Sequence, residues 1–93
     1  MNPTAETRPI SLLRLPEVLQ RRGRKKSQHA ADVARGLFVR PLKPGSRLAL
    51  YDSRSVDVLV AADLAGKSPE EIRALVRKLE QERAQVLSAL IAT

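Results

Sequence analysis

Ninety-three residues, 43% of them hydrophobic but with one Phe, one Tyr and no Trp, suffice for one small domain with an aliphatic core. Seventeen Lys and Arg against ten Asp and Glu leave a net charge of +7 and a pI near 10.8, which points to a polyanionic partner, nucleic acid first. The absence of Cys excludes disulfides, thiol nucleophiles and thiolate metal sites, and one His cannot build a zinc site unaided.

The charge is unevenly spread. Residues 1–54 carry twelve basic side chains against four acidic ones, whereas residues 55–93 carry five against six, so the two halves are expected to do different work. Apolar runs such as Val58 to Ala62 fall far below the roughly 20 residues that span a bilayer. Met1 to Arg8 lacks the pattern of a signal peptide, and the expectation is a cytoplasmic, nucleoid-associated protein with no membrane partner.

In chain order, residues 1–9 read as a disordered arm. Between Ile10 and Arg22 the apolar Leu12, Leu13, Leu15, Val18 and Leu19 accompany a short helix, with Pro16 and Glu17 suited to its first turn and Gly23 ending it. A second helix is predicted from an N-cap at Ser27 to Arg35, stopped by Gly36. Ala30, Val33 and Ala34 would form its buried stripe, leaving Gln28, Ala31, Asp32 and Arg35 outside. Two short helices around a Gly-containing turn make a helix-turn-helix candidate.

Pro41, Pro44 and Gly45 break any helix, and Pro44-Gly45 fits the centre of a type II turn. The flanks, Phe38 to Leu42 and Arg47 to Tyr51, are predicted to pair as a hairpin carrying Arg40, Lys43 and Arg47, with Pro41 limiting its strand to an edge. A third helix is expected from a cap at Asp52 or Ser53 to Ala65, with Val56, Leu59, Val60 and Leu64 on one side and Gly66 after it. Alternation of Val56, Val58 and Val60 leaves a strand as the other option there.

Ser68-Pro69-Glu70-Glu71 is a capping box with Pro at the first helical position. From Pro69 to Ile91 is 23 residues, about 35 Å of helix, with Ile72, Leu75, Val76, Leu79, Val86, Leu87, Leu90 and Ile91 at helical spacing and an interruption near Glu82 and Arg83. Ile72, Leu79 and Val86 recur every seven residues. The stripe either folds back onto the domain or, as favoured here, pairs a homodimer through Ile72, Leu75, Val76, Leu79, Val86 and Leu90.

Four strings in register, Leu13-Arg14-Leu15-Pro16-Glu17-Val18-Leu19, Ala34-Arg35-Gly36-Leu37-Phe38, Arg40-Pro41-Leu42-Lys43, and Gly45-Ser46-Arg47 followed by Tyr51, resemble the AlpA-type prophage regulators. Those are small winged-helix proteins related to phage excisionases and to the DNA-binding domain of the MerR regulators. The resemblance covers about Leu12 to Ala65, and Ala65 to Val76 is similar to the tail of many members. It implies a mostly α fold: a winged helix-turn-helix over residues 10–66 with a short two-stranded hairpin wing, then a long C-terminal helix over residues 67–93. It also implies duplex-DNA binding in transcription, or in excision of an integrated element, with RNA polymerase or a recombinase as a further partner. The sequence departs from the family pattern at Ala30, Val39, Pro44 and Tyr51, where the family more often has Tyr, Pro, an aliphatic residue and Trp.

The expected contacts follow. Arg21, Arg22, Arg24, Lys25 and Lys26 repel one another unless a polyanion relieves them and are placed at phosphates, Arg24, Lys25 and Lys26 first, while the stretch from Ser27 to Arg35 is placed in the groove. Gln28 suits an adenine edge, Arg35 a base or phosphate, and Arg40, Lys43 and Arg47 phosphates. His29 is expected at the border of the buried stripe, more a packing residue than a reader. Dimerisation would set half-sites about 34 Å apart, or a multiple. No enzyme is expected: Ser27 and His29 fall on opposite sides of one helix, and neither a GxGxxG nor a P-loop string implies a cofactor. Outside DNA binding, the alternative is an adaptor whose long helix docks a partner protein.

Overall fold

The computed structural model describes residues 11–42 and 47–92, apart from the side chain of Leu90. The arm at 1–9, the Pro44-Gly45 turn and Lys43 lie outside the described residues. What is described is mostly helical, with one two-stranded antiparallel sheet: β1 (Leu12–Arg14), α1 (Leu15–Arg22), α2 (Lys26–Ala34), β2 (Leu50–Asp52), α3 (Ser53–Leu64) and α4 (Pro69–Ala92).

The sheet differs from the predicted hairpin. β2 pairs with β1, Leu13 opposite Tyr51, and the expected ladder between Phe38–Leu42 and Arg47–Tyr51 shrinks to one bridge, Leu42 to Leu50. The physical reason is burial: Phe38 and Val39 turn wholly into the core rather than alternating as a solvated strand does. Leu12–Arg14 shows that alternation instead, with only Leu13 buried.

Local chemistry sets most helix ends as the sequence predicts. Proline occupies the first turn of α1, and Gly23 closes the helix at φ 65°, a left-handed conformation that a side chain resists. Asp52 caps α3 by accepting from the Ser55 amide at 3.1 Å and its hydroxyl at 2.7 Å. Ser68 and Glu71 exchange bonds at 3.1 and 3.2 Å at the head of α4. α2 starts one residue before the predicted cap, because Gln28 reaches back to the Lys25 amide at 3.1 Å and Ser27 enters the first turn.

The aliphatic core joins Leu13, Val18, Val39, Val56 and Leu59 to Ile72, Val76 and Leu79 of α4, with Leu75 packed at its edge. The first half of α4 therefore folds back onto the domain, and Ile72, Val76 and Leu79 fill its own core rather than a dimer seam, with Leu75 half-buried beside them. Leu64, expected beside Val56 and Leu59, is instead 85% exposed at the end of α3. The break at Arg83 has a structural cause: its guanidinium bonds Asp52 at 3.2 Å and the Arg40 carbonyl at 2.9 Å, fastening α4 to the cap of α3.

Candidate nucleic-acid interface

α1 and α2 are joined by the turn 23–25 and held by a polar cluster under α2. Arg22 donates through Nη2 to Asp32 at 2.8 Å and through Nη1 to Nδ1 of His29 at 2.8 Å. Its carbon centre also lies 4.2 Å from the centroid of the Phe38 ring. Since a guanidinium only donates, His29 Nδ1 accepts, the ring proton sits on Nε2, and Nε2 donates to the Tyr51 hydroxyl at 2.9 Å. His29, Phe38 and Tyr51 meet edge to face with centroids 5.0 to 5.8 Å apart. Among the described residues, no buried side-chain N or O atom lacks a partner.

This cluster fixes protonation. Burial and the facing Arg22 guanidinium pull the His29 pKa down to about 4, with Asp32 acting weakly the other way. Burial pushes the Tyr51 phenol up, against the pull of Arg22 and Arg83. Burial also tends to raise Asp52, but bonds from Ser55 and Arg83 outweigh it and hold this carboxylate below its usual range.

Two sequence expectations are corrected here. Arg22 is no phosphate contact, because its side chain is 3% exposed and engaged by Asp32, His29 and Phe38. The buried stripe of α2 is also turned from the predicted one: His29, Asp32 and half-buried Val33 face inward, while Ala30 and Ala34 are exposed. Hydrophobicity alone chose the alanines, whereas the pairing of Asp32 with Arg22 lets a carboxylate go under the helix.

The opposite face of α2 is open. Ser27, Ala30 and Ala34 are exposed on it, Ala31 is partly so, and Gln28 and Arg35 flank it. His29 itself is buried on the inner face of the helix, against Phe38 and Tyr51. Lys25 and Lys26 are exposed at the N-terminal end. Arg24 is shared between Asp32 at 3.5 Å and Asp63 at 3.7 Å, and Arg21 pairs with Asp57 at 3.1 Å, so among the described residues the run of five cations resolves into two ends without an ion-pair partner, two tethered ends and one buried strut.

The expected wing cations are dispersed. Arg40 turns to α4, where Glu80 accepts from its amide at 2.8 Å and lies 3.4 Å from its guanidinium. Arg47 is exposed near β2, and Lys43 lies outside the described residues. Of the dimer residues beyond the core, Val86 is 54% exposed and the Leu90 side chain is outside the described set. Arg73 was not anticipated; its Nε donates to the Arg35 carbonyl at 3.0 Å, at an end of α2 where helix carbonyls lack partners.

Among the described residues, no group of three His, Asp or Glu side chains is placed to hold a metal, and no helix is long and apolar enough to cross a membrane. Comparison with protein families, with curated proteins and with solved structures returns no match.

Proposed function

We propose that this protein is a winged helix-turn-helix transcriptional regulator that binds duplex DNA, with α2 as its recognition helix. The observation that carries this reading is the division of α2 into two faces: one anchored by the Arg22, Asp32 and His29 cluster, the other small, open and bordered by Lys25, Lys26, Gln28 and Arg35. Small side chains let a helix approach the floor of the major groove, where alanine methyl groups meet thymine methyl groups and Gln28 and Arg35 reach base edges. Lys25 and Lys26 then lie beside the positive end of the helix dipole, where phosphates are favoured. Arg47, in the exposed described stretch beside the Leu42 to Leu50 bridge, serves in the wing. The resemblance to prophage regulators supports the same assignment from the sequence.

Self-association belongs to the end of α4. Ala84 to Ala92 contains no charged residue, yet Val86, Leu87 and Ile91 are 54%, 47% and 85% exposed. With Leu12 and Leu42, the first two of these border an apolar groove of about 280 Å³ whose edge carries the Arg54 to Glu82 pair. Two copies related by a two-fold axis would bring uncharged strip against uncharged strip.

The direct test is selection of bound sequences from a random duplex library, followed by mapping of bound sites in the genome of origin. Enrichment of one motif, abolished by Gln28→Ala with Arg35→Ala, is expected. Uniform recovery of all sequences would contradict sequence reading by α2.

A further inference from the structure

The far end of α2 carries a second basic feature, of which the helix-turn-helix reading uses only Arg35. A cleft of about 390 Å³ opens between the segment Val33 to Phe38 and α4, and four arginines line it: Arg35, Arg40, Arg73 and Arg77. Its lone carboxylate, Glu80, is taken by the amide and guanidinium of Arg40. Three arginines therefore line one cleft with no opposing charge bonded to them among the described residues.

Two of the three are placed by the fold. Arg73 is steered by its Nε bond to the Arg35 carbonyl, which leaves both terminal nitrogens of its fork unbonded among the described residues. Arg77 stands one turn further along the same face of α4, where like charges four residues apart repel. Arg35 closes the other wall at the end of α2 and borders both this cleft and the open helix face. Planar guanidinium forks match the oxygens of a phosphate in bidentate geometry, and an anion seated between them removes the repulsion.

We propose that Arg35, Arg73 and Arg77 form a phosphate-binding cleft, and that the phosphate it takes belongs to the DNA backbone flanking the groove in which α2 lies. The inference rests on the DNA-binding reading and extends the footprint to α4, the part of the chain whose net charge is nearly zero. Lys25 and Lys26 would hold the backbone at one end of α2 and the cleft would hold it at the other, so the helix is fixed at both ends.

Fluorescence anisotropy with a labelled duplex across a salt series tests this on the full chain, comparing Arg77→Gln, Arg73→Gln with Arg77→Gln, and Lys25→Gln with Lys26→Gln. Arg77→Gln removes a side chain that makes no bond in the described structure, so its fold should persist; circular dichroism checks this. The proposal expects the slope of log affinity against log salt to fall for Arg77→Gln and to fall further, by up to about 0.9 for the one phosphate the cleft holds, for the α4 double variant. An unchanged slope for both, with a reduced slope for Lys25→Gln with Lys26→Gln, overturns the cleft and leaves the DNA reading standing. Failure of the unmodified chain to bind any duplex removes the DNA reading and this extension together. Inorganic phosphate titrated into the free protein, followed by arginine side-chain NMR, separates the source. Saturable shifts at Arg73 and Arg77, combined with an unchanged duplex slope, would assign the cleft to a free phosphate compound and overturn the DNA-backbone assignment.

Discussion

Arg22 and His29, seven residues apart, meet at 2.8 Å with the guanidinium donating into the imidazole, an arrangement that requires the ring to be neutral. In the unfolded chain the histidine titrates near 6.5, and in the folded chain at about 4. Between those values the unfolded chain binds more protons, so this contribution is complete above pH 6.5 and fades as the pH drops toward 4. Chemical denaturation at pH 7 and pH 4.5 should differ by about 2 kcal/mol from this group, and His29→Gln should remove most of that difference. Asp52 and Glu71, both held below their usual ranges, lose their contributions only at lower pH.

The Arg22 to Asp32 pair makes a second prediction. Arg22→Met leaves the Asp32 carboxylate with only its longer contact to Arg24 and should destabilise the fold by about 3 kcal/mol, the low end for a broken buried pair, whereas replacing the pair together, Arg22→Met with Asp32→Leu, should recover much of the loss. Urea unfolding measures both. Equal destabilisation by the single and the double replacement would show that the guanidinium matters for its packing on Phe38 and not for its charge.

α4 is expected to behave as two helices in one. Leu79→Ala, in the core, should cost about 2–5 kcal/mol of stability. Leu87→Ala with Ile91→Ala should leave the stability of a single chain within about 0.5 kcal/mol but shift sedimentation toward the monomer. Unchanged sedimentation in the presence of a stable dimer would place the interface elsewhere.

The contrast between these helices shows what was legible in the sequence. Gly23, Asp52 and the box of Ser68 and Glu71 act within a few residues, so the helix boundaries they set could be read directly. The phase of α2 could not. Alanine contributes little to either face, and the inward residues, His29 and Asp32, are polar groups whose burial depends on Arg22 in another helix. The same nonlocality hid β1, since Leu12–Arg14 becomes a strand only by pairing with residues about forty positions away. Counting cations found the basic half of the chain but could not tell a buried strut such as Arg22 from an open end such as Lys25. The cleft at Arg35 was missed because Arg73 and Arg77 sit in a segment whose charges cancel in the sum.

The central claim is that the open face of α2 and the cations at its N-terminus meet duplex DNA, and the salt dependence of binding tests it most directly. Lys25→Gln with Lys26→Gln should leave thermal unfolding unchanged and lower the slope of log affinity against log salt by about 1.8, close to 0.9 for each phosphate no longer neutralised. A slope identical to that of the unmodified chain, measured on the same duplex and with the fold intact, would contradict the account.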